Sequence, residues 1–124
     1  MKRDIIVRLF LLMLGLHIAH VFEEIWGEFW MVNIFSLELF LVGNWILYCV
    51  IIFLFYFILE ERKGAYKLAI IYIGFIGIQG IAHLLATLIT GSYFGVFAGG
   101  ITGLPIFITS IPLIYHLIKK IRSE

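Results

Sequence analysis

The chain has 124 residues, of which 63% are hydrophobic and only 14% charged, with a formal net charge of +1 and a mean hydropathy of +1.10. A soluble domain carries about 25% charge and alternates apolar with polar faces, so this composition excludes one. It also offers no basic surface for nucleic acid: nine Lys and Arg stand against eight Asp and Glu.

Four apolar stretches, at about 5–26, 39–59, 66–90 and 95–118, approach the roughly 20 residues needed to cross a bilayer as helix. Their interiors are apolar all round, as helices in lipid require. The expected fold is all-α, an integral membrane antiparallel four-helix bundle forming one transmembrane domain over residues 1–124.

The first stretch ends in GLHIAHVFEEIWGEF, residues 15–29, with two histidines and three glutamates. Arg8 interrupts its apolar run and no small-x-small cleavage site follows, so it reads as a retained span and not a signal peptide. Residues 27–38, GEFWMVNIFSLE, mix aromatic and polar groups as an interfacial segment does. That segment serves as an anchor or as a lid over a site beneath it, and the sequence leaves both open.

The second stretch holds Asn44 and the single cysteine, Cys49. A buried thiol in apolar surroundings is normally inert. After the turn EERKG at 60–64, the third stretch places Gly74, Gly77 and Gly80 three residues apart. Its Gln79, His83, Ala86, Thr87 and Thr90 share one narrow stripe. A second turn, TGSYFG at 90–95, leads to the fourth stretch, where Gly95, Gly99 and Gly103 recur every four residues. Small residues at these spacings let membrane helices approach closely. Pro105 and Pro112 in the same stretch weaken its backbone ladder. His116 falls near its end beside Lys119, an interfacial position.

All nine Lys and Arg fall in three places, around residues 2–8, 62–67 and 119–122. Four spans bring these places to one side, which the positive-inside rule makes the cytoplasm. Both termini are therefore expected to be cytoplasmic. His20, Asn44, His83 and Thr102 each lie 16–17 residues from a charge at that boundary. At 1.5 Å per residue they share a layer roughly 24–26 Å above it. By the 100° helical step, His17, His20 and Glu24 share one face, with Glu23 about 60° round from His20.

HVFEE, residues 20–24, is a His-x-x-Glu-Glu pattern, and the chain resembles the HXXEE-motif family of small polytopic membrane proteins. The pattern late in the first span, the four apolar segments and the downstream His83 carry that resemblance. The family is largely of unknown function, and its polar residues point towards enzymatic activity. By the match, His20, Glu23, Glu24 and His83 are the residues carried over.

Imidazole and carboxylate on one helical face, with a histidine from another helix, make a metal-ligand set. His17, His20, Glu23, Glu24 and His83 are the candidates for a divalent metal. Such ligands accept zinc, and carboxylate-histidine pairs on bundle helices also bind iron or manganese, though diiron bundles need more carboxylates. Whichever of Glu23 and Glu24 is not a ligand can act as general base. Ionisable groups within spans are functional candidates by default. His17 has the competing reading of a hydrogen bond between helices, and Asn44 and Thr102 read as packing hydrogen bonds. Three functions remain open on the sequence: a metal-dependent membrane hydrolase or transferase acting on a lipid or amphiphile, a small proton- or ion-coupled carrier, and a haem module with histidine axial ligands. The expected partners are membrane lipids and an amphiphilic substrate. A homo-oligomer is a further option, since four helices enclose little pathway alone.

Overall fold

The computed structural model describes residues 2–94 and 98–123. It contains four helices: α1 (Lys2–Trp26), α2 (Trp30–Leu59), α3 (Lys63–Thr90) and α4 (Gly100–Arg122). There is no strand among the described residues. The protein is an all-α four-helix bundle, and each helix is long and apolar enough to cross a membrane. It is an integral membrane protein.

The ends of the helices follow from their turn residues. α1 closes with Glu28 in the left-handed region (φ 57°). The Phe29 N–H returns to the Glu24 carbonyl at 2.9 Å, and the Glu28 N–H to the Ile25 carbonyl at 3.3 Å. That pair of bonds is a Schellman closure, and it turns the chain back over the end of its own helix. α2 then begins at Trp30 and already includes most of the interfacial segment. It is broken at Ser36 (φ 66°, ψ 156°), so a short outer helix precedes the long span. At the other end of the bundle, Glu61 (φ 56°) makes the α2–α3 turn. Lys120 on α4 reaches the Glu61 carboxylate at 3.8 Å. Gly91 (φ 64°) ends α3, its N–H bonding the Thr87 carbonyl. α4 starts at Gly100, later than the apolar run suggests, because Gly99 at φ 122° is no helical conformation. Gly95, named in the fourth-span glycine spacing, lies outside the described residues.

Glycine sets the α3–α4 contact. A Cβ on Gly80 would stand 2.6 Å from the Gly103 carbonyl oxygen, and one on Gly77 would stand 2.6 Å from Ser110 Oγ. Gly74 differs from its two neighbours in the series, with nothing within 4 Å of a built Cβ. Backbone contact of this kind holds helices together where lipid removes the hydrophobic drive between them. α4 stays helical through Pro105 and Pro112.

Apolar side chains from all four helices, among them Phe10, Ile58, Tyr66 and Leu117, fill the half of the bundle that holds the termini. Above this core the buried residues change character: His17, His20, Glu23, Glu24 and His83 are all buried. α2 stands furthest out. Only 11% of its apolar window is buried, against 33% for each other helix, and this leaves a cleft beside α3.

Candidate metal centre

α1 delivers its polar residues in two directions. His17, His20 and Glu24 share the face towards α3, as residues spaced by three or four do. Glu23, one position before Glu24, is rotated towards α4. The two carboxylates therefore meet different surroundings.

Glu24 meets histidines. Its Oε1 lies 3.6 Å from His20 Nε2 and 3.6 Å from His83 Nε2, and the three ligand atoms lie within 4.8 Å of one another. All three residues are at least 97% buried. Separations of 3.6 Å are too long for hydrogen bonds, which span about 2.7–3.2 Å. They are close to the edge of a coordination tetrahedron. Ligand atoms about 2.0–2.2 Å from a zinc ion at tetrahedral angles stand roughly 3.3–3.6 Å apart.

The outer nitrogens fix how the imidazoles are protonated. His83 Nδ1 lies 2.5 Å from the Ala98 carbonyl, which can only accept, so that nitrogen carries the proton. His20 Nδ1 lies 2.7 Å from Thr102 Oγ1. The Thr102 hydroxyl donates its one proton to Glu23, so here too the imidazole must donate. Each neutral histidine then turns an Nε2 lone pair towards Glu24. His20 Nε2 and Glu24 Oε1 have no hydrogen-bond partner among the described residues. Two lone pairs and a carboxylate oxygen facing one another out of water repel unless something positive lies among them. A proton on Glu24 bridges to one histidine only; a divalent cation satisfies both. His20, Glu24 and His83 can thus hold a metal ion, and the bonds from the outer imidazole nitrogens to Thr102 and Ala98 orient the two histidines for it.

Glu23 meets the start of α4. It accepts the Ile101 and Thr102 N–H groups, each at 2.8 Å, and the hydroxyls of Thr102 and Tyr93. The first N–H groups of a helix lack intrahelical partners and attract anions. α4 has no side-chain cap of its own, because its N-cap is Gly99. A Cβ there would fall 2.5 Å from His20 Cε1 and 2.7 Å from His83 Nδ1. The backbone thus passes directly over the imidazoles, only glycine fits, and Glu23 supplies the missing cap from another helix. Tyr93 lies in the α3–α4 connection. Burial first, and then its bond to the Glu23 carboxylate, pushes its hydroxyl above the usual phenol range.

His17 meets tyrosines. Its Nδ1 lies 2.9 Å from Tyr72 Oη, and Tyr48 donates to its backbone carbonyl at 3.2 Å. The structure therefore gathers His20, Glu24 and His83, and places Glu23 and His17 beside them in other bonds. Of the layer counted from the sequence, Thr102 joins the group through His20, whereas Asn44 bonds the Phe40 carbonyl on its own helix. Phe29, in the segment read as an anchor or a lid, has its ring over His83 with centroids 5.0 Å apart. Sequence reasoning missed Tyr93, the Ala98 carbonyl and the use of Gly99. The consecutive pair Gly99–Gly100 was the one available signal, since two glycines in an apolar run mark a close backbone approach.

A cavity of about 430 Å³ adjoins the group. Glu24 and Phe29 form its inner end, and α2 and α3 form its walls. Comparison of the chain with protein-family models, with curated proteins and with solved structures finds no match.

Proposed function

We propose that this protein is a metal-dependent membrane enzyme, a hydrolase or transferase acting on a lipid or another amphiphile, with His20, Glu24 and His83 as metal ligands. The observation that carries the reading is the convergence of two imidazole lone pairs on one buried carboxylate oxygen, on a glutamate that also lines a cavity. Three protein ligands with a further position open are the pattern of catalytic rather than structural zinc sites. A divalent ion held there supplies a Lewis acid and acidifies water at neutral pH.

The protein's own groups then divide the work. Thr102 and Ala98 hold the two imidazoles in the tautomer that ligates. Glu24 is the only carboxylate lining the cavity, so it meets both the ion and whatever the cavity admits. Both oxygens of Glu23 are taken up by donors, and its part is to position α4, Thr102 and, through Thr102, His20. Phe29 and the buried position of the site keep bulk water from the group. The resemblance to the HXXEE-motif family fits this division, since the motif residues are the ones so used. The positive-inside distribution supports cytoplasmic termini, with the site towards the opposite surface.

Two other readings fit less well. A haem between the histidines would have to share its place with Glu24, which stands 3.6 Å from each. A carrier needs a path through the bundle, and the apolar core beneath the site favours a one-sided pocket instead. X-ray absorption of the zinc-loaded protein tests the proposal. The expected first shell is two imidazole nitrogens and carboxylate or water oxygen at about 2.0–2.2 Å. A shell of water oxygens alone would refute it.

A further inference from the structure

The cavity beside the metal site is specific about what it can hold. Its volume, about 430 Å³, falls in the range of small-molecule sites, roughly 300–1,000 Å³. Met31, Phe35, Leu39, Phe40, Leu47 and Phe75 make most of its wall, which suits an apolar chain. Leu39 and Phe75 are 63% and 65% exposed, so the rim opens outwards between α2 and α3, where a bilayer would present acyl chains. Entry is therefore sideways from lipid.

Four polar residues line the same cavity: His17, Glu24, Asn44 and Gln79. None is a cation, and every Lys and Arg of the chain lies in the three groups near 2–8, 62–67 and 119–122. A phosphate or carboxylate head would thus have no basic side chain to pair with. The hydrogen-bonding inventory narrows the choice further. Asn44 spends one of its two amide N–H groups on the Phe40 carbonyl and keeps the other together with Oδ1. Gln79 makes no side-chain bond to any described residue, so its carbonyl and its amide N–H groups are both available. The lining thus offers three acceptor groups, Asn44 Oδ1, the Gln79 carbonyl and the Glu24 carboxylate, beside the Gln79 amide N–H groups and the remaining one of Asn44. A head group that only accepts leaves the three acceptors unmet, and for the buried Glu24 carboxylate that is costly.

The geometry points to a single-chain amphiphile with an uncharged head that donates as well as accepts hydrogen bonds, an amide or a hydroxyl, read by Gln79 and Asn44. This names the substrate class for the proposed metal centre and rests on that reading for the reaction, but the binding itself uses no metal ligand except Glu24 as a wall. An ester or amide carbonyl between such a head and its chain would lie at the end of the cavity that Glu24 occupies.

Native mass spectrometry of the full chain, released from detergent, tests the inference with four probes of equal chain length. These are a monoacylglycerol, a primary fatty amide, a lysophosphatidylcholine and a free fatty acid, each offered to zinc-loaded and to chelator-treated protein. The glycerol ester and the amide are expected to bind the chelated protein at least tenfold more tightly than the other two. Gln79→Leu should erase that preference. Gly43→Leu should abolish binding altogether, because Gly43 lines the cavity and a Cβ there meets nothing within 4 Å. Metal content, measured on every sample, should be unchanged by either substitution. Equal or tighter binding of the acid or the phospholipid to the chelated protein would overturn the inference, as would unaltered selectivity in Gln79→Leu. Should Gln79→Leu fail to fold, Asn44→Leu and Gly43→Leu decide it, and unaltered binding in both refutes it. Selectivity without any zinc uptake would sink the metal centre and leave the cavity assignment standing; zinc uptake without selectivity would do the reverse.

Discussion

Glu23 on α1 and Thr102 on α4 are joined twice: the carboxylate accepts the Thr102 backbone N–H at 2.8 Å and, through the same oxygen, the Thr102 hydroxyl. Thr102 then accepts from His20, so one residue ties the cap of α4 to the orientation of a candidate ligand. Glu23→Gln replaces an acceptor oxygen with a donor facing N–H groups. Leaving such groups unmet costs about 1–3 kcal/mol each. Its melting temperature should fall, and zinc affinity should drop roughly 10–100-fold, the usual effect of losing a group that orients a metal ligand. Thr102→Val should lower the affinity in the same range, and Thr102→Ser should restore it. Equal affinity across all three would detach Glu23 from the site.

Tyr93 makes the pH dependence of that cap testable. Its folded-state pKa is raised above the ordinary phenol value, so the bond's contribution is full below that ordinary value, about 10, and is lost only as pH rises through the folded pKa. Between pH 6 and 9 the stability difference between wild type and Tyr93→Phe should be constant. For a half-exposed residue it should be about 1 kcal/mol, less than the roughly 1.5–3 of a buried bond to a charged group. A difference that vanished by pH 8 would contradict the assigned bond.

Glycines in this chain should divide sharply under alanine substitution. Gly74→Ala meets nothing within 4 Å and should be neutral, or stabilising by up to about 1 kcal/mol from helix propensity. Gly80→Ala drives a methyl into the Gly103 carbonyl and should separate α3 from α4. Gly99→Ala combines a φ of 122° with a contact on His20. Backbone strain alone costs about 1–3 kcal/mol there, and zinc binding should be lost with it. Thermal unfolding in detergent ranks the three, and a destabilised Gly74→Ala would place the packing face wrongly.

The orientation can be checked on a cysteine-free background, Cys49→Ala, with Glu28→Cys as the probe. Glu28 is exposed at the α1–α2 connection. In intact cells, impermeant maleimide should label it from outside. Labelling only after the membrane is opened would invert the topology and move the site to the inner leaflet side.

The architecture was legible because lipid imposes it: four long apolar runs admit only helices. The shared face of His20 and Glu24 also followed from the 100° step alone, while His83 entered through its depth along the third span and the resemblance. What periodicity could not show was how Glu23 and Glu24, adjacent in the chain, are divided between α4 and α3. That depends on where α4 starts, and its start is set by Gly99 passing over two imidazoles, a long-range contact with no local pattern. The segment 27–38 was legible as distinct from the second span, but the place of the break, Ser36 with its non-helical φ and ψ, was not. His17 was ambiguous in sequence because its partner, Tyr72, lies 55 positions away.

Metal binding itself would be pH-dependent with a fixed sign. Ligation needs neutral imidazole and ionised carboxylate, so protons compete with the ion. Affinity should fall steadily on acidification from pH 8 to 5, and proton release should accompany zinc uptake. Binding that strengthened in acid would exclude this donor set.

Zinc stoichiometry by plasma mass spectrometry, on detergent-purified protein supplied with zinc and then freed of excess, bears most directly on the centre. Wild type should retain about one ion per chain, His17→Ala should retain as much, and Glu24→Gln and His83→Ala should each retain almost none while staying folded. Wild-type protein without bound metal, or folded Glu24→Gln and His83→Ala proteins as fully loaded as wild type, would contradict it.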